Sequence, residues 1–243
     1  ARYMSLFALS VFMAGCATSI QPTESIGPNN PAAFAAIRAA YLKAAEQKSF
    51  RARMSSESGG KLTESTIEFA APASMHMVMK TENMEQIVVN GTHYMKADGR
   101  WTRLPISSGN LIEQLRKDPA TIAAFEKTIS GAQIVGPETV GSKAATAYRY
   151  YQAAAFGGGL AASAGWVKLW VGSNGLPLKL ESDAVGRVLG FSHQSKSVIF
   201  YEDYGVPIRI VYRERRRGGK GRKEAAEIEA RPAPAPKTGR RPQ

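Results

Sequence analysis

The chain has 243 residues, of which 44% are hydrophobic, and a formal net charge of +12 from 32 Lys plus Arg against 20 Asp plus Glu. Its single Cys excludes an internal disulfide framework and any multi-Cys zinc or iron–sulfur site, and its three scattered His leave little for a His-built metal centre. The length suits one domain or two small ones with a real core, and no apolar run reaches the roughly 18–20 residues of a membrane-spanning helix.

Behind Arg2, residues 4–14 (Met-Ser-Leu-Phe-Ala-Leu-Ser-Val-Phe-Met-Ala) form a short apolar stretch. It is too short to cross a bilayer and suits the apolar core of a signal peptide. The chain opens on Ala1, so the natural start is expected to be clipped or to be Met4. The stretch ends in Met13-Ala14-Gly15-Cys16, which resembles the lipobox of bacterial lipoproteins, with Met13 where Leu is commoner. The resemblance implies cleavage after residue 15 and acylation (palmitate or a similar chain) of Cys16. Residues 16–29 then read as a tether rich in Pro, Ser, Asn and Gly. Two or more acyl chains anchor a protein stably where one is marginal. Ala17 lacks the acidic character linked to inner-membrane retention, which favours the outer membrane.

A helix is expected next. Asn30 can cap it, Pro31 fits the first turn, and Phe34, Ile37, Tyr41 and Leu42 share one face. The period then changes to two. Phe50, Ala52 and Met54 alternate with Arg51, Arg53 and Ser55, and Ile67 and Phe69 with Thr66 and Glu68. Met75, Met77 and Met79 continue the series around His76. Asn90-Gly91 is a strong hairpin signal, placing Val89 opposite Thr92, Ile87 opposite Tyr94 and Glu85 opposite Lys96. Asp98-Gly99 turns the chain again before Arg100–Leu104.

A second helical segment spans about 110–127, with Leu111, Ile112, Leu115, Ile122 and Phe125 as its stripe and a break at Pro119. Strands are expected at 133–140, 144–151, 166–171, 176–182, 197–201 and 206–213, with a small-residue loop at 153–164 around Gly157-Gly158-Gly159. That is about ten or eleven strands and three helical pieces in one domain, residues 30–213. Residues 214–243 turn basic and then Pro/Ala-rich, a composition expected to be disordered. From Arg213 onward the chain holds 11 basic residues and four Glu, so much of the positive charge sits in this tail.

Three stretches carry a family resemblance. They are Tyr148-Arg149-Tyr150-Tyr151, residues 167–179 (Val-Lys-Leu-Trp-Val-Gly-Ser-Asn-Gly-Leu-Pro-Leu-Lys) and residues 199–208 (Ile-Phe-Tyr-Glu-Asp-Tyr-Gly-Val-Pro-Ile). Together with the meander Val89–Trp101 they resemble the LolA-like superfamily, which includes the lipoprotein carriers LolA and LolB and the mycobacterial lipoproteins LppX and LprG. The resemblance covers about residues 30–213. It implies a mostly antiparallel β fold, a curved half-barrel with helices covering a hydrophobic cavity for acyl chains.

Alternation agrees that each strand has an apolar face. It assigns Met54, Ile67, Phe69, Met75, Met77, Met79, Ile87, Val89 and Tyr94 to the inward faces of the first half. In the second half it assigns Leu169, Val171, Leu178, Leu180, Phe200, Ile208 and Ile210. The frequency of Met suits a surface that accepts varied apolar ligands, although any one Met also serves as ordinary core.

Catalytic signatures are missing: there is no Gly-x-Ser-x-Gly and no phosphate loop, and the adjacent Glu202 and Asp203 face opposite ways in a strand and cannot act as a pair. No enzyme and no cofactor is expected. Met75-His76-Met77-Val78-Met79 raises Cu(I) binding as a minor alternative. In a strand, however, His76 points away from the methionines, so ligation needs a second strand, with His93 or Met95 to supply it. The expected function is a monomeric, non-enzymatic lipoprotein facing the periplasm that binds lipid. Its membrane contacts are Cys16 and the basic tail, where anionic head groups are preferred over nucleic acid because base-stacking aromatics are absent. The alternative is an envelope interaction protein whose core is filled by its own side chains.

Overall fold

The structure, a computed structural model, describes residues 25–72, 74–89, 91–104, 119–156, 161–188, 191–214, 226–228 and 231–232. Helix α1 (Pro31–Ala45) starts as its sequence dictates. The Asn30 side chain accepts the Ala33 amide at 3.0 Å, and Pro31 occupies the first turn. Asn29 and Asn30 also fasten the helix start to a strand: the Asn29 carboxamide accepts the Ala132 amide at 2.9 Å, and the Asn30 amide donates to the Ala132 carbonyl at 2.8 Å.

Six strands follow as a meander: β1 (Ser49–Ser58), β2 (Lys61–Ala70), β3 (Ser74–Met79), β4 (Met84–Val89), β5 (Thr92–Ala97) and β6 (Arg100–Leu104). The hairpin register is as expected, with Val89 opposite Thr92, Ile87 opposite Tyr94 and Glu85 opposite Lys96, whose ammonium lies 2.6 Å from the Glu85 carboxylate. Helix α2 (Pro119–Glu126) precedes a second meander: β7 (Ile129–Val140), β8 (Lys143–Phe156), β9 (Ala161–Gly172), β10 (Pro177–Val188) and β11 (Phe191–Glu202). Of the expected stripe of the second helix, Phe125 is buried against Tyr41, while Leu111, Ile112 and Leu115 lie outside the described residues.

The two meanders join through an antiparallel β1–β11 pairing into one curved, unclosed sheet of 11 strands, ordered β6-β5-β4-β3-β2-β1-β11-β10-β9-β8-β7. The chain between Leu104 and Ile129 therefore connects opposite edges of the sheet. Phe125 on this connection packs edge-on against Tyr41 of α1, ring centroids 4.8 Å apart. Both helices thus lie on the same side, called here the inner face. Its α1-covered core comprises Ile37, Tyr41, Tyr150, Val167 and Leu169 with Phe125.

Three expectations need correction. The small-residue stretch 153–164 is mostly strand, since β8 runs to Phe156 and β9 resumes at Ala161. Backbone pairing across twelve register positions outweighs the weak strand preference of Ala and Ser. The segment 206–213 does not extend the large sheet. It holds two short strands, β12 (Ile208–Arg209) and β13 (Tyr212–Glu214). These pair with β15 (Arg231–Pro232) and β14 (Ala226–Ile228) inside the stretch read as disordered. Composition averaged over the tail conceals these few residues, which satisfy backbone groups that β12 and β13 would otherwise leave unpaired.

Candidate ligand-binding face

Residues paired across an antiparallel ladder share a face, and neighbours along a strand alternate. The ladders therefore assign every described strand residue. Met75, Met77 and Met79 of β3 lie beside Phe69, Ile67 and Ser65 of β2 on one side. On the other they face Val88, Gln86 and Met84 of β4, and Val88 and Gln86 in turn face His93 and Met95 of β5. Beyond β2, Ser65 pairs with Met54, which pairs with Ile199 of β11, which pairs with Leu180 of β10, which pairs with Leu169 of β9. Leu169 belongs to the α1-covered core, so this whole set is the inner face.

The turn Lys80–Asn83 sets that parity. Asn83 takes φ 51°, the Lys80 amide donates to the Glu64 carbonyl at 2.8 Å, and Met84 emerges opposite Met79. As a result Met54, Met75, Met77, Met79, Met84 and Met95, every methionine beyond Met13, share the inner face. Met75, Met77 and Met79 are 1%, 1% and 5% exposed, and Met54, Met84 and Met95 are half-buried.

The inner face is graded along the strands. At one end Phe50 stacks on Phe69 with centroids 5.2 Å apart, Tyr201 and Tyr204 adjoin them, and the buried Tyr41 and Tyr150 hydroxyls meet at 2.6 Å. Burial raises all four tyrosine hydroxyls above their ordinary range, that of Tyr201 to about 12. Toward the other end lie Ser65 and the hydrogen-bonded pair Ser182 and Ser197 at 2.7 Å. Among the described residues, the inner-face atoms Ser65 Oγ and His93 Nε2 are buried without a hydrogen-bond partner. Burial also lowers the His93 pKa, which keeps the ring neutral near pH 7.

Of the residues expected to face inward, Met54, Ile67, Phe69, Met75, Met77, Met79, Leu169, Val171 and Leu180 do so. The others lie on the opposite, outer face. Ile87, Val89 and Tyr94 turn outward because Ile87-Val88-Val89 is apolar throughout, so alternation alone does not choose its face. Ile87 packs there with Ala70 and with Ile208 and Ile210, which the C-terminal segment lays across the outside. Leu178 sits at a bulge between Pro177 and Lys179 and packs against Trp170, Ala145 and Ala147. Phe200 pairs with Arg53 and Lys179 and lies under both cations, at 5.7 and 5.3 Å.

Alternation overlooked Val88, Met84, Met95 and His93 on the inner face. Carrying the parity of Met79 across the four-residue turn would have found them.

The outer face is a polar surface built on aromatics. Lys168 and Lys179 each lie 4.6 Å from the Trp170 ring, and Glu138 accepts from Trp170 Nε1 at 2.7 Å and Lys168 Nζ at 2.8 Å. Hydrogen bonds from Lys168 and then Trp170 hold the Glu138 carboxyl below its ordinary pKa. His76 also points outward, 3.5 Å from Glu68 and 3.7 Å from Glu85.

No protein-family model and no curated protein matches the chain. Among solved structures it is similar to the Mycobacterium tuberculosis lipoprotein LppX. The two are 15% identical over 74% of this chain and 99% of that one, with a TM-score of 0.50. LprF from Mycobacterium bovis is 12% identical over 75% of this chain and 97% of its own, with a TM-score of 0.49. A LolA superfamily protein from Nitrosomonas europaea is 14% identical over 71% and 92%, at 0.27. The chain thus shares its fold with LppX, a curved and unclosed antiparallel sheet with helices on one side.

Proposed function

We propose that the protein is a non-enzymatic lipoprotein of the cell envelope that holds an acyl chain or similar lipid on its inner face. The observation that carries this reading is the parity of the methionines. Six flexible thioether side chains lie on the helix-covered side of an unclosed sheet, whereas charged residues occupy the other. Methionine fills irregular space and adapts to ligand shape better than branched side chains with fixed rotamers. The LppX fold supports the reading, since LppX is itself a lipoprotein.

Acylation of Cys16 and an envelope location, periplasm-facing and outer-membrane rather than inner, belong to the same proposal. They rest on the lipobox-like Met13-Ala14-Gly15-Cys16, which precedes the described residues. Cys16→Ala is expected to release the protein from the membrane fraction and to remove the mass of the acyl group. Unchanged fractionation and mass would remove the anchor.

The competing reading is an interaction protein with a self-filled core, and the burial of Met75 and Met77 favours it. Mass spectrometry of lipids extracted from the purified chain, with titration by a fluorescent fatty acid, separates the two. Co-purifying lipid and saturable probe binding are expected, and the absence of both would establish the self-filled core.

A further inference from the structure

Three strands place an unusual set of donors around Gln86. Met77 and Met95 flank it directly, one on each neighbouring strand. Met84 lies two residues away on its own strand and Met79 is paired with Met84. On the other side Met75 and His93 flank Val88. Met77 and Met95 are separated by two strand spacings, about 10 Å. Two thioethers leaning toward each other over the Gln86 position can bridge that gap through a shared ion. His93 sits two positions from Met95 on the same face, 8% exposed, with its Nε2 buried and unpartnered.

A buried polar atom without a partner is unfavourable, so a ring nitrogen left open on a methionine-rich face calls for a ligand that accepts both donor types. Thioether sulfur and imidazole nitrogen together select a soft ion, and no carboxylate belongs to the set. The strand register keeps the carboxylates Glu68 and Glu85 on the outer face, where they pair with Arg51 and Lys96. Met84, Gln86 and Met95 are only half-buried, which leaves an approach from the side of β4 and β5.

We propose that the inner face carries a site for a soft monovalent metal ion of the Cu(I) class, with Met77, Met95 and His93 as its ligands and Met75 and Met84 adjoining. The site shares Met77 with the proposed acyl-binding surface and goes beyond that reading, which is tested separately.

The test uses the purified, delipidated full chain under anaerobic reducing conditions, titrated with Cu(I) against a chromogenic Cu(I) chelator. The expected result is one ion retained per chain. The double variant Met77→Leu/Met95→Leu and the single variant His93→Leu should each hold it about tenfold or more weakly, the scale on which metal sites respond to a lost partner. Leu nearly conserves the volume of Met, so the double variant keeps the core, and its urea midpoint confirms folding. Met54→Leu, on β1 and away from the cluster, should bind like the parent. With Ag(I), the methyl resonances of Met77 and Met95 should shift and that of Met54 should not.

Failure of the parent to hold Cu(I) against the chelator, or equal retention by folded parent and double variant, would overturn the site. Fatty-acid titration of the same samples reads the lipid proposal separately. Cu(I) retention without probe binding would sink only the lipid reading, and probe binding without Cu(I) retention only the metal site.

Discussion

The Tyr41 and Tyr150 hydroxyls lie 2.6 Å apart in the interior, linking α1 to the inner face of β8. Each hydroxyl is a buried partner of the other, so removing either one deletes this hydrogen bond. Tyr150→Phe is expected to lower stability by about 1–2 kcal/mol through the lost bond, and Tyr41→Phe by a similar amount. The double variant should lose less than the sum, because both single variants delete the same bond. Urea unfolding of the four proteins measures the coupling, and strict additivity would show that the hydroxyls do not interact.

The same aromatic cluster makes the fold sensitive to alkali. Burial raises the Tyr201 hydroxyl to about 12 and that of Tyr41 well above its ordinary range. An unfolded tyrosine releases its proton near pH 10, so above that pH the unfolded chain binds fewer protons than the folded one. The stabilising contribution is therefore intact below about pH 10 and is lost as pH rises toward 12. The urea midpoint should fall steeply over that window, and Tyr201→Phe should flatten the fall. An unchanged slope in the variant would remove Tyr201 as a cause.

Adjacent strands separate the two faces by function. Met77 faces inward and Ile87 outward, although both are almost completely buried. If the inner face holds a ligand, Met77→Trp should keep the fold and weaken fatty-acid binding, because the new ring takes ligand space. In a dry core the same change would overpack and cost about 1–3 kcal/mol. Ile87→Ala, by contrast, should cost about 2–4 kcal/mol by emptying the contact with Ala70 and Ile210, and should leave probe binding intact. A binding defect in folded Ile87→Ala would contradict the face assignment.

Gly165 marks a close approach between β9 and β10. A Cβ at this position would overlap the Asp183 carbonyl oxygen and the Ala184 Cα, which are backbone atoms unable to swing away. Gly165→Ala is expected to cost about 3 kcal/mol or more, while Gly60→Ala, where a Cβ would meet nothing but φ is 74°, should cost less. Thermal unfolding of the two variants ranks them, and the reverse order would show that β9 can shift.

Local features were legible because their determinants are adjacent in the chain. Asn30 and Pro31 announce α1, Asn90-Gly91 defines a hairpin to the exact pairing of Glu85 with Lys96, and alternation marks β1, β2 and β3. The inner-face identity of Met75, Met77 and Met79 followed from the same alternation. Where a strand is apolar on both faces, period two carries no information. Ile87-Val88-Val89 is that case, and its neighbours Tyr94 and His93 inherited the error.

The amino-acid sequence by itself determined the first helix, the hairpin turns and the strands with clear alternation, since each depends on residues within a few positions of one another. Tertiary structure alone decided which face of β4 and β5 turns inward, through the Lys80–Asn83 turn that sets Met84 against Met79. It also decided that β1 pairs with β11, uniting residues about 150 positions apart, and that Ile208 and Ile210 cover the outside rather than line the inside. These outcomes depend on which apolar surfaces find each other once the sheet curves. That choice minimises exposed area over the whole molecule, and no local window of sequence contains it.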